Sequence, residues 1–354
     1  GQLAATRVLL VGLGGLGSPA ALYLAGAGIG TMGLCDADVV EAHNLHRQVI
    51  HSTNRVGVAK TMSAKQRLEA LNPAISVVEH REAFGPANAL ELVQGYDVVL
   101  DGSDNFPTRY LVNDACGLAG KPLVSGSIFQ FEGQMTLFHA PGGPCLRCLF
   151  PEMPAPGSVP NCAEAGVLGS LCGMVGSVLA NEVIKLALGL PGTLAGRLLT
   201  VDARRTRWRE LALRRDPQCP LCGDSPTINA IDADRYAFDL HCAMPASDPN
   251  ELPWEVTVQE TAHRSPETVL LDVREPVEWD IAHLNGATLH PLGQLGERLP
   301  SLPKDTPVIT YCHHGMRSLS AARYLREKGW TKTQSMAGGI DAWAIEIDHT
   351  MPRY

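Results

Sequence analysis

An apolar segment that leads into a glycine-rich turn near the N-terminus constrains this chain more than any other feature. Residues 8–17 read Val-Leu-Leu-Val-Gly-Leu-Gly-Gly-Leu-Gly, and Ser18-Pro19 opens an alanine-rich stretch. The pattern predicts a buried strand, a Gly-x-Gly-x-x-Gly turn and a helix. Glycines let the backbone approach phosphates closely, and a helix N-terminus offers free N–H donors. The segment therefore predicts a nucleotide site at Gly14 and Gly15, but leaves the nucleotide open.

Composition excludes several other classes of protein. The chain has 354 residues with a net charge of -8, which argues against nucleic-acid binding. The uncharged stretch 8–35 is long enough to span a bilayer, yet its glycines and Pro19 break it into strand, turn and helix, so we expect no membrane association. Ten cysteines, four of them in two Cys-x-x-Cys pairs, favour a reducing compartment, and we expect a cytoplasmic protein.

Short β-branched runs alternate with alanine- and leucine-rich periodic segments from residue 7 to about residue 213. This alternation predicts an α/β fold, with a Rossmann-like, mostly parallel sheet covered by helices on both faces. The predicted strands are 8–12, 31–35, 76–79, 97–100 and 122–125, with 134–139 and 198–202 at the far side. The predicted helices are 19–27, 61–71, 87–93, 109–119 and 169–188.

Two irregular stretches divide the chain. Residues 150–166 hold four prolines and predict a surface loop, and residues 223–253 have no clear periodicity and predict a linker. Residues 254–354 restart a small α/β pattern. We therefore expect a nucleotide-binding domain over 1–222, a linker over 223–253 and a second domain over 254–354.

Polar residues after the glycine turn favour ATP over a redox dinucleotide. Asn44, Arg47 and Gln48 have the spacing that places them on one face of a short helix, and Lys60 precedes the next helix. Asp104 follows a predicted strand, where open sheets bind ligands, and offers a hard oxygen ligand for Mg²⁺. Arg47 and Lys60 supply positive charge for a triphosphate. A redox dinucleotide carries only a pyrophosphate and needs no metal, so it would not explain these cations and Asp104 together. An NAD-dependent oxidoreductase stays the less favoured reading.

The same residues resemble the ThiF/MoeB/E1 adenylating superfamily over residues 1 to about 222. The resembling motifs are Gly-Leu-Gly-Gly-Leu-Gly at 12–17, Asp36, Asn44-Leu-His-Arg47-Gln48, Lys60 and Asp101-Gly-Ser-Asp104-Asn105. The resemblance implies that Asp36 and Asn44 contact the ribose, that Arg47, Gln48 and Lys60 contact the phosphates, and that Asp104 holds magnesium, with Asn105 beside it. It also implies a homodimer that converts the C-terminal Gly-Gly of a small ubiquitin-like protein into an acyl-adenylate.

Two Cys-x-x-Cys pairs lie more than seventy residues apart, Cys145/Cys148 and Cys219/Cys222. Four thiolates form a closed tetrahedral zinc site, which is structural because no coordination position remains for water. The alternative is two independent thiol pairs, or one disulfide within each pair. The adenylating family carries the same pairs at matching places. A further cysteine, Cys162, follows the proline-rich loop, and the resemblance implies that it forms a thioester or resolves an acyl disulfide; the alternative is an inconsequential loop residue.

The C-terminal region carries a second reactive-thiol pattern. Cys312 ends a predicted strand and begins a Cys-x4-Arg loop closed by Arg317 at a helix start. Such a loop turns backbone N–H groups toward one point, which stabilises a thiolate or persulfide. With Asp272, Arg274 and Glu275-x-x-Glu278-Trp279, residues 254–354 resemble a single-domain rhodanese, which implies a persulfide on Cys312. A phosphatase loop usually has one more residue between cysteine and arginine.

The combination resembles MoeB–rhodanese fusion proteins of the MOCS3 type. It implies ATP-dependent adenylation of a sulfur carrier, followed by sulfur transfer to give a thiocarboxylate, with ATP, Mg²⁺ and Zn²⁺ as cofactors. The sulfur donor, a cysteine desulfurase or thiosulfate, stays open, as do molybdopterin, thiamine, tRNA thiolation and cysteine pathways. Family members carry an N-terminal arm whose arginine reaches the partner's nucleotide, and this sequence begins beyond it. The alternative is therefore a carrier-docking and persulfide-relay protein with an inactive nucleotide site.

Overall fold

The computed structural model describes residues 1–154, 167–236, 252–295 and 302–353. The chain divides into two compact units, residues 1–240 and 241–354. Cys162 lies outside the described residues, as does most of the loop predicted over 150–166.

The first unit is built on one eight-stranded sheet with the order β3-β2-β1-β4-β5-β6-β7-β8. The strands are β1 Arg7–Val11, β2 Thr31–Cys35, β3 Ser76–His80, β4 Val98–Asp101, β5 Leu123–Phe129, β6 Glu132–Phe138, β7 Arg197–Asp202 and β8 Arg207–Ala212. Strands β1 to β5 pair in parallel, and β6, β7 and β8 extend the sheet in antiparallel fashion. The predicted fold class is confirmed. Strand β8 was missed because all six of its residues are exposed, so its sequence lacks the alternation of a half-buried strand.

Helices cover both faces of this sheet, as predicted. They span Gln2–Ala5, Gly17–Ala27, Lys60–Leu71, Ala89–Gln94, Phe106–Ala119, Leu146–Leu149 and Gly169–Leu188. Neighbouring residues of β1 point to opposite faces, so Leu10 packs in one core with Leu24, while Leu9 packs in another with Tyr110. This explains why the parallel strands are apolar without alternation.

The Gly169–Leu188 helix is long and apolar enough to cross a membrane, with a mean hydropathy of 1.5, but it packs in the core of the first unit. It lies against the Gly17–Ala27 helix and strands β5 and β6. A Cβ atom on Gly176 would come within 2.4 Å of Pro19 Cγ, so the absence of a side chain allows the close helix contact.

The glycine turn lies where the strand order reverses, between β1 and β4. Open α/β sheets form their ligand crevice at this point, outside the carboxyl ends of the strands. Gly12 has a φ of 87°, and a Cβ there would lie 2.9 Å from the Gly102 carbonyl oxygen. A Cβ on Gly17 would lie 2.0 Å from the Gly12 oxygen. The crevice therefore depends on glycine at these positions.

Part of the predicted linker packs into the first unit. Tyr236 is only 2% exposed, and its hydroxyl donates to Asp114 Oδ2 at 2.7 Å. Asp114 is fully buried and also accepts hydrogen bonds from Arg147 Nε and Nη2, at 2.8 and 2.7 Å. A single tyrosine in a region rich in Asp, Pro and Ser gives no periodic signal, which is why the sequence pattern indicated a linker there.

The second unit is a small α/β domain, as predicted. Its strands are β9 Glu255–Val256, β10 Val269–Asp272, β11 Ala287–Leu289, β12 Val308–Tyr311 and β13 Thr333–Met336. They pair in parallel in the order β11-β10-β12-β13-β9. The helices span Val258–Ala262, Pro276–Ile281, Met316–Glu327 and Gly339–Glu346.

Substituting Tyr236→Phe tests the anchoring of residues beyond 222. The change removes one hydrogen bond from a buried carboxylate, so we expect the first unit to lose about 1–3 kcal/mol of unfolding free energy. Urea unfolding followed by circular dichroism measures the shift. Tyr23→Phe is the matched control because Tyr23 is 59% exposed. Equal midpoints for the two variants would contradict the anchor.

Candidate functional site

The glycine turn between β1 and the Gly17–Ala27 helix forms the floor of the first candidate site. A Cβ on Gly14 would meet only Gln48 Nε2, at 3.8 Å. A Cβ on Gly15 would lie 3.6 Å from Arg47 Cδ, on the side where Cys172 also packs. The structure thus brings the predicted Arg47 and Gln48 onto the glycine turn, although they lie some thirty residues away in sequence.

The predicted short helix around Asn44 is a 3₁₀ turn over Ala42–Asn44, followed by an α-type turn. The backbone N–H groups of Arg47 and Gln48 both donate to the Asn44 carbonyl, at 3.1 and 3.0 Å. Arg47 Nη2 also donates to Asn44 Oδ1 at 2.8 Å, so Asn44 orients the guanidinium. Gln48 is 4% exposed, and its Oε1 has no hydrogen-bond partner in the part of the chain that the structure describes. A buried amide of this kind fits a site that binds a polar ligand.

Asp36 lies directly after β2 and ties this edge of the sheet to the glycine turn. Its Oδ2 accepts from the Leu13 N–H at 2.8 Å, and its Oδ1 accepts from the Asp38 N–H at 2.9 Å. Burial raises the pKa of Asp36, and the nearby Lys60 opposes that rise. Lys60 is buried, and its ammonium donates to Asp38 Oδ2 at 2.7 Å. Sequence reasoning missed Asp38, whose only signal is its position two residues after Asp36.

The loop after β4 presents the predicted magnesium ligand. Asp101 is fully buried and accepts from the Ser103 N–H at 3.0 Å, while Arg109 Nη2 donates to the Ser103 carbonyl at 2.7 Å. Asp104 is exposed and makes no hydrogen bond or ion pair with any described residue. Asn105 caps the Phe106–Ala119 helix, since its Oδ1 accepts from the Thr108 N–H at 2.9 Å. Hydrogen bonds to Ser103 and Asn105 therefore fix the loop on both sides of Asp104, while the exposed Asp104 carboxylate is accessible to a ligand.

The two Cys-x-x-Cys pairs form one cluster, with all four sulfur atoms within 4.8 Å of one another. The S–S separations include 3.9 Å for Cys145–Cys148, 3.5 Å for Cys145–Cys219 and 3.4 Å for Cys148–Cys222. A zinc tetrahedron with Zn–S bonds of ~2.3 Å has edges of ~3.8 Å, which matches this spacing.

The surroundings shift the pKa of three of the four thiols. Burial raises the pKa of Cys145, and the nearby thiols raise it further; burial and the hydrogen bond with Cys148 raise that of Cys222 to about 12. Cys219 is the exception, since backbone hydrogen bonds from Cys222 and Leu221 lower its pKa despite burial. A bound cation would offset the mutual repulsion of four thiolates, so this cluster could hold a metal ion.

In the second unit, Cys312 follows β12 at the mouth of the predicted loop. Its Sγ accepts from the Gly315 N–H at 3.1 Å and lies 3.6 Å from Ser318 Oγ. The Ile340 and Asp341 N–H groups, from the Gly339–Glu346 helix, donate to the carbonyls of Cys312 and His313 at 2.8 and 3.0 Å. Hydrogen bonds from two neighbouring helix starts thus fix the loop around one sulfur atom.

Two ion pairs lie close to the same loop. Asp272 and Arg274 are fully buried and paired, with Arg274 Nε 2.9 Å from Asp272 Oδ1, next to β12. Arg317 is paired as well, because its two terminal nitrogens each donate to a carboxylate oxygen of Glu278 at 2.7 Å. The sequence placed Arg317 at the loop, but only the structure shows that Glu278 holds it.

Comparison with known proteins identifies a family for each unit. The ThiF family matches residues 1–221, and the rhodanese-like domain matches residues 257–346. The probable adenylyltransferase/sulfurtransferase MoeZ of Mycobacterium tuberculosis is 43% identical over 364 residues, which cover 100% of this chain and 90% of that protein. The adenylyltransferase and sulfurtransferase MOCS3 of Sus scrofa is 42% identical, covering 100% of this chain and 83% of that protein.

A solved structure shows the fold of the first unit independently. Escherichia coli MccB in complex with MccA-N7isoASN superposes with a TM-score of 0.57 at 24% identity, over 63% of this chain and 68% of that chain. The two family matches together span most of the sequence. The chain belongs to the ThiF family and carries a rhodanese-like domain at its C-terminus.

Proposed function

We propose that this chain adenylates the C-terminal glycine of a ubiquitin-like sulfur carrier protein with ATP, and then transfers sulfur from Cys312 to give a thiocarboxylate. The chain is an adenylyltransferase and sulfurtransferase, like the relatives that align along its full length. The observation that carries the proposal is the presence of two features in one chain: a glycine-lined crevice beside Arg47 and Gln48 in the first unit, and a loop whose Gly315 N–H donates to Cys312 Sγ in the second.

Adenylation brings two anions together, so the residues of the first site act by positioning and charge neutralisation. The glycine turn and the start of the Gly17–Ala27 helix would receive the phosphates, with Arg47, Gln48 and Lys60 beside them. Asp36 and Asn44 would face the ribose. The Lys60–Asp38 pair implies that Lys60 exchanges a carboxylate for a phosphate when ATP binds, which keeps the buried ammonium paired in both states.

Two metal ions complete the proposal. Asp104 would hold Mg²⁺, which supplies positive charge against the polyphosphate, and its unpartnered, exposed carboxylate fits that role. Cys145, Cys148, Cys219 and Cys222 would hold Zn²⁺. Zinc there would link the end of the ThiF-matched region to its middle and would leave no position for substrate, so its role would be structural.

Sulfur transfer follows at Cys312. The terminal sulfur of its persulfide attacks the acyl carbon, the new C–S bond forms, and AMP leaves with the electron pair of the broken C–O bond. The acyl disulfide is then cleaved by a thiol, which releases the thiocarboxylate and leaves a disulfide for a reductant to reopen. We propose Cys162 as that thiol and a homodimer as the working assembly.

Replacing Lys60 tests adenylation. In Lys60→Met we expect ATP–pyrophosphate exchange, measured with a carrier that ends in Gly-Gly, to lose kcat/KM by roughly 10²–10³, because one cation at the phosphates is gone. Lys65→Met is the matched control, since Lys65 lies on the same helix and pairs with Glu69 and Glu79. An unmodified chain that gives no exchange with any carrier would instead indicate a docking and relay protein with an inactive nucleotide site.

Replacing Cys312 tests sulfur transfer. In Cys312→Ser we expect pyrophosphate exchange to continue, while mass spectrometry of the carrier no longer detects the exchange of one oxygen for sulfur. Cys116→Ala is the control because Cys116 is buried in the first unit. Thiocarboxylate formed at an unchanged rate by Cys312→Ser would refute the role of Cys312.

Metal analysis tests the cysteine cluster. We expect one zinc ion per chain by elemental analysis, and loss of that ion in Cys219→Ser, because three thiolates no longer close the tetrahedron. The first unit should then unfold at a lower temperature. The Cys116→Ala control should keep its zinc. Full zinc content in Cys219→Ser would contradict the four-cysteine site.

A further inference from the structure

A buried histidine, His51, lies between two segments that the proposed function brings to the phosphates of ATP. His51 is 7% exposed, and its Nδ1 forms a hydrogen bond with Ser63 Oγ at 2.9 Å. Ser63 is 3% exposed and lies in the first turn of the Lys60–Leu71 helix. The bond between the two side chains therefore joins the loop that ends at His51 to the helix that begins at Lys60.

The backbone ties His51 to the residues at the glycine turn. The His51 N–H donates to the Gln48 carbonyl at 3.1 Å. The N–H groups of Gln48 and Arg47 in turn donate to the Asn44 carbonyl. Consecutive hydrogen-bonded turns therefore connect the His51 ring to Arg47, so the bond with Ser63 relates the position of this loop to that of the neighbouring helix.

The His51 ring carries no charge at neutral pH. Burial lowers its pKa to about 4; the Leu13 backbone partly offsets this, and the Lys60 charge lowers the pKa further. The ring thus lies close to both the glycine turn and Lys60. Its Nε2 makes no hydrogen bond with any residue in the described ranges, so the bond with Ser63 is the one that orients the ring there.

We propose that His51 is a positioning residue for ATP, which acts through Ser63 to set the spacing between Arg47 on the loop and Lys60 at the helix start. This inference rests on the proposed function of the first unit. Two cations that contact one polyphosphate need a fixed separation. A separation that is set before the ligand arrives strengthens binding, because less conformational freedom is lost. A neutral ring suits this role, since it adds no positive charge beside Lys60.

The test compares the affinities of the full chain for MgATP and for adenosine, both measured by competition against a fluorescent ATP analogue. In His51→Phe the side chain stays planar but loses both nitrogens. We expect the dissociation constant of MgATP to rise roughly five- to tenfold, because one buried hydrogen bond is lost. The constant for adenosine should change less than about twofold, because adenosine has no phosphate for Arg47 and Lys60 to contact.

Conservative replacements identify the ring atom that matters. Asparagine places its amide near the position of His51 Nδ1 and can keep the bond with Ser63, whereas glutamine places its amide near the position of Nε2. We expect His51→Asn to bind MgATP within about twofold of the unmodified chain, and His51→Gln to bind it as weakly as His51→Phe does.

The other end of the bond gives an independent check. Ser63→Ala should weaken MgATP binding by about the same factor as His51→Phe, and the double variant His51→Phe/Ser63→Ala should weaken it no further, because both changes remove one interaction. Tyr236→Phe is the control for stability. It also removes one buried hydrogen bond from the first unit, at Asp114, and should leave both affinities unchanged.

The outcomes separate this inference from the proposed function. If the unmodified chain binds no MgATP, the proposed function fails, and the inference fails with it. If the unmodified chain binds MgATP and His51→Phe binds it equally well, or binds MgATP and adenosine more weakly by the same factor, the inference alone is overturned. Rescue by His51→Gln instead of His51→Asn, or additive losses in the double variant, would show that His51 does not act through Ser63.

Discussion

Close contact between backbone segments at the reversal point of the sheet is the constraint on which the first unit depends. The turns after β1 and β4 touch at Gly12 and Gly102, where a Cβ on Gly102 would lie 3.0 Å from the Gly12 carbonyl oxygen. The helix from Gly17 begins against the same Gly12 oxygen, 2.0 Å from where a Cβ on Gly17 would lie. Side chains at these positions would push the two turns apart and move the helix start away from the crevice. Arg47, Gln48 and Asp36 can converge on the turn only because the backbone there is so compact.

Both units keep their functional cations paired with carboxylates. Lys60 is held by Asp38 and Arg317 by Glu278, and in each pair the cation is largely buried. An unpaired buried cation would destabilise the fold. A carboxylate partner that a ligand can replace therefore keeps the cation paired until the ligand binds. The two pairs differ in the exposure of the carboxylate. The Asp38 side chain is 71% exposed, whereas the Glu278 side chain is 16% exposed, close to the 13% of Arg317.

The cysteine cluster and the Asp114 network stabilise the same end of the first unit. Asp114 binds Arg147, which lies between two of the four cysteines, and Tyr236, which lies beyond the last of them. The cysteine cluster and the hydrogen-bond network therefore both connect residues over long sequence separations, where loop-closure entropy is largest. Residues 223–236 belong to this structure, although their composition resembles a linker.

The sequence alone determined the fold class, the alternation of strands and helices along the chain, the glycine turn, the two Cys-x-x-Cys pairs and the Cys-x4-Arg loop at Cys312. Each of these has a local signal, either a periodicity or a fixed spacing of rare residues. The tertiary structure alone decided the exposed strand β8, the burial of Tyr236 and the partners of Lys60 and Arg317. These features depend on contacts between residues far apart in sequence, and a single aspartate, glutamate or tyrosine carries no pattern that predicts its partner.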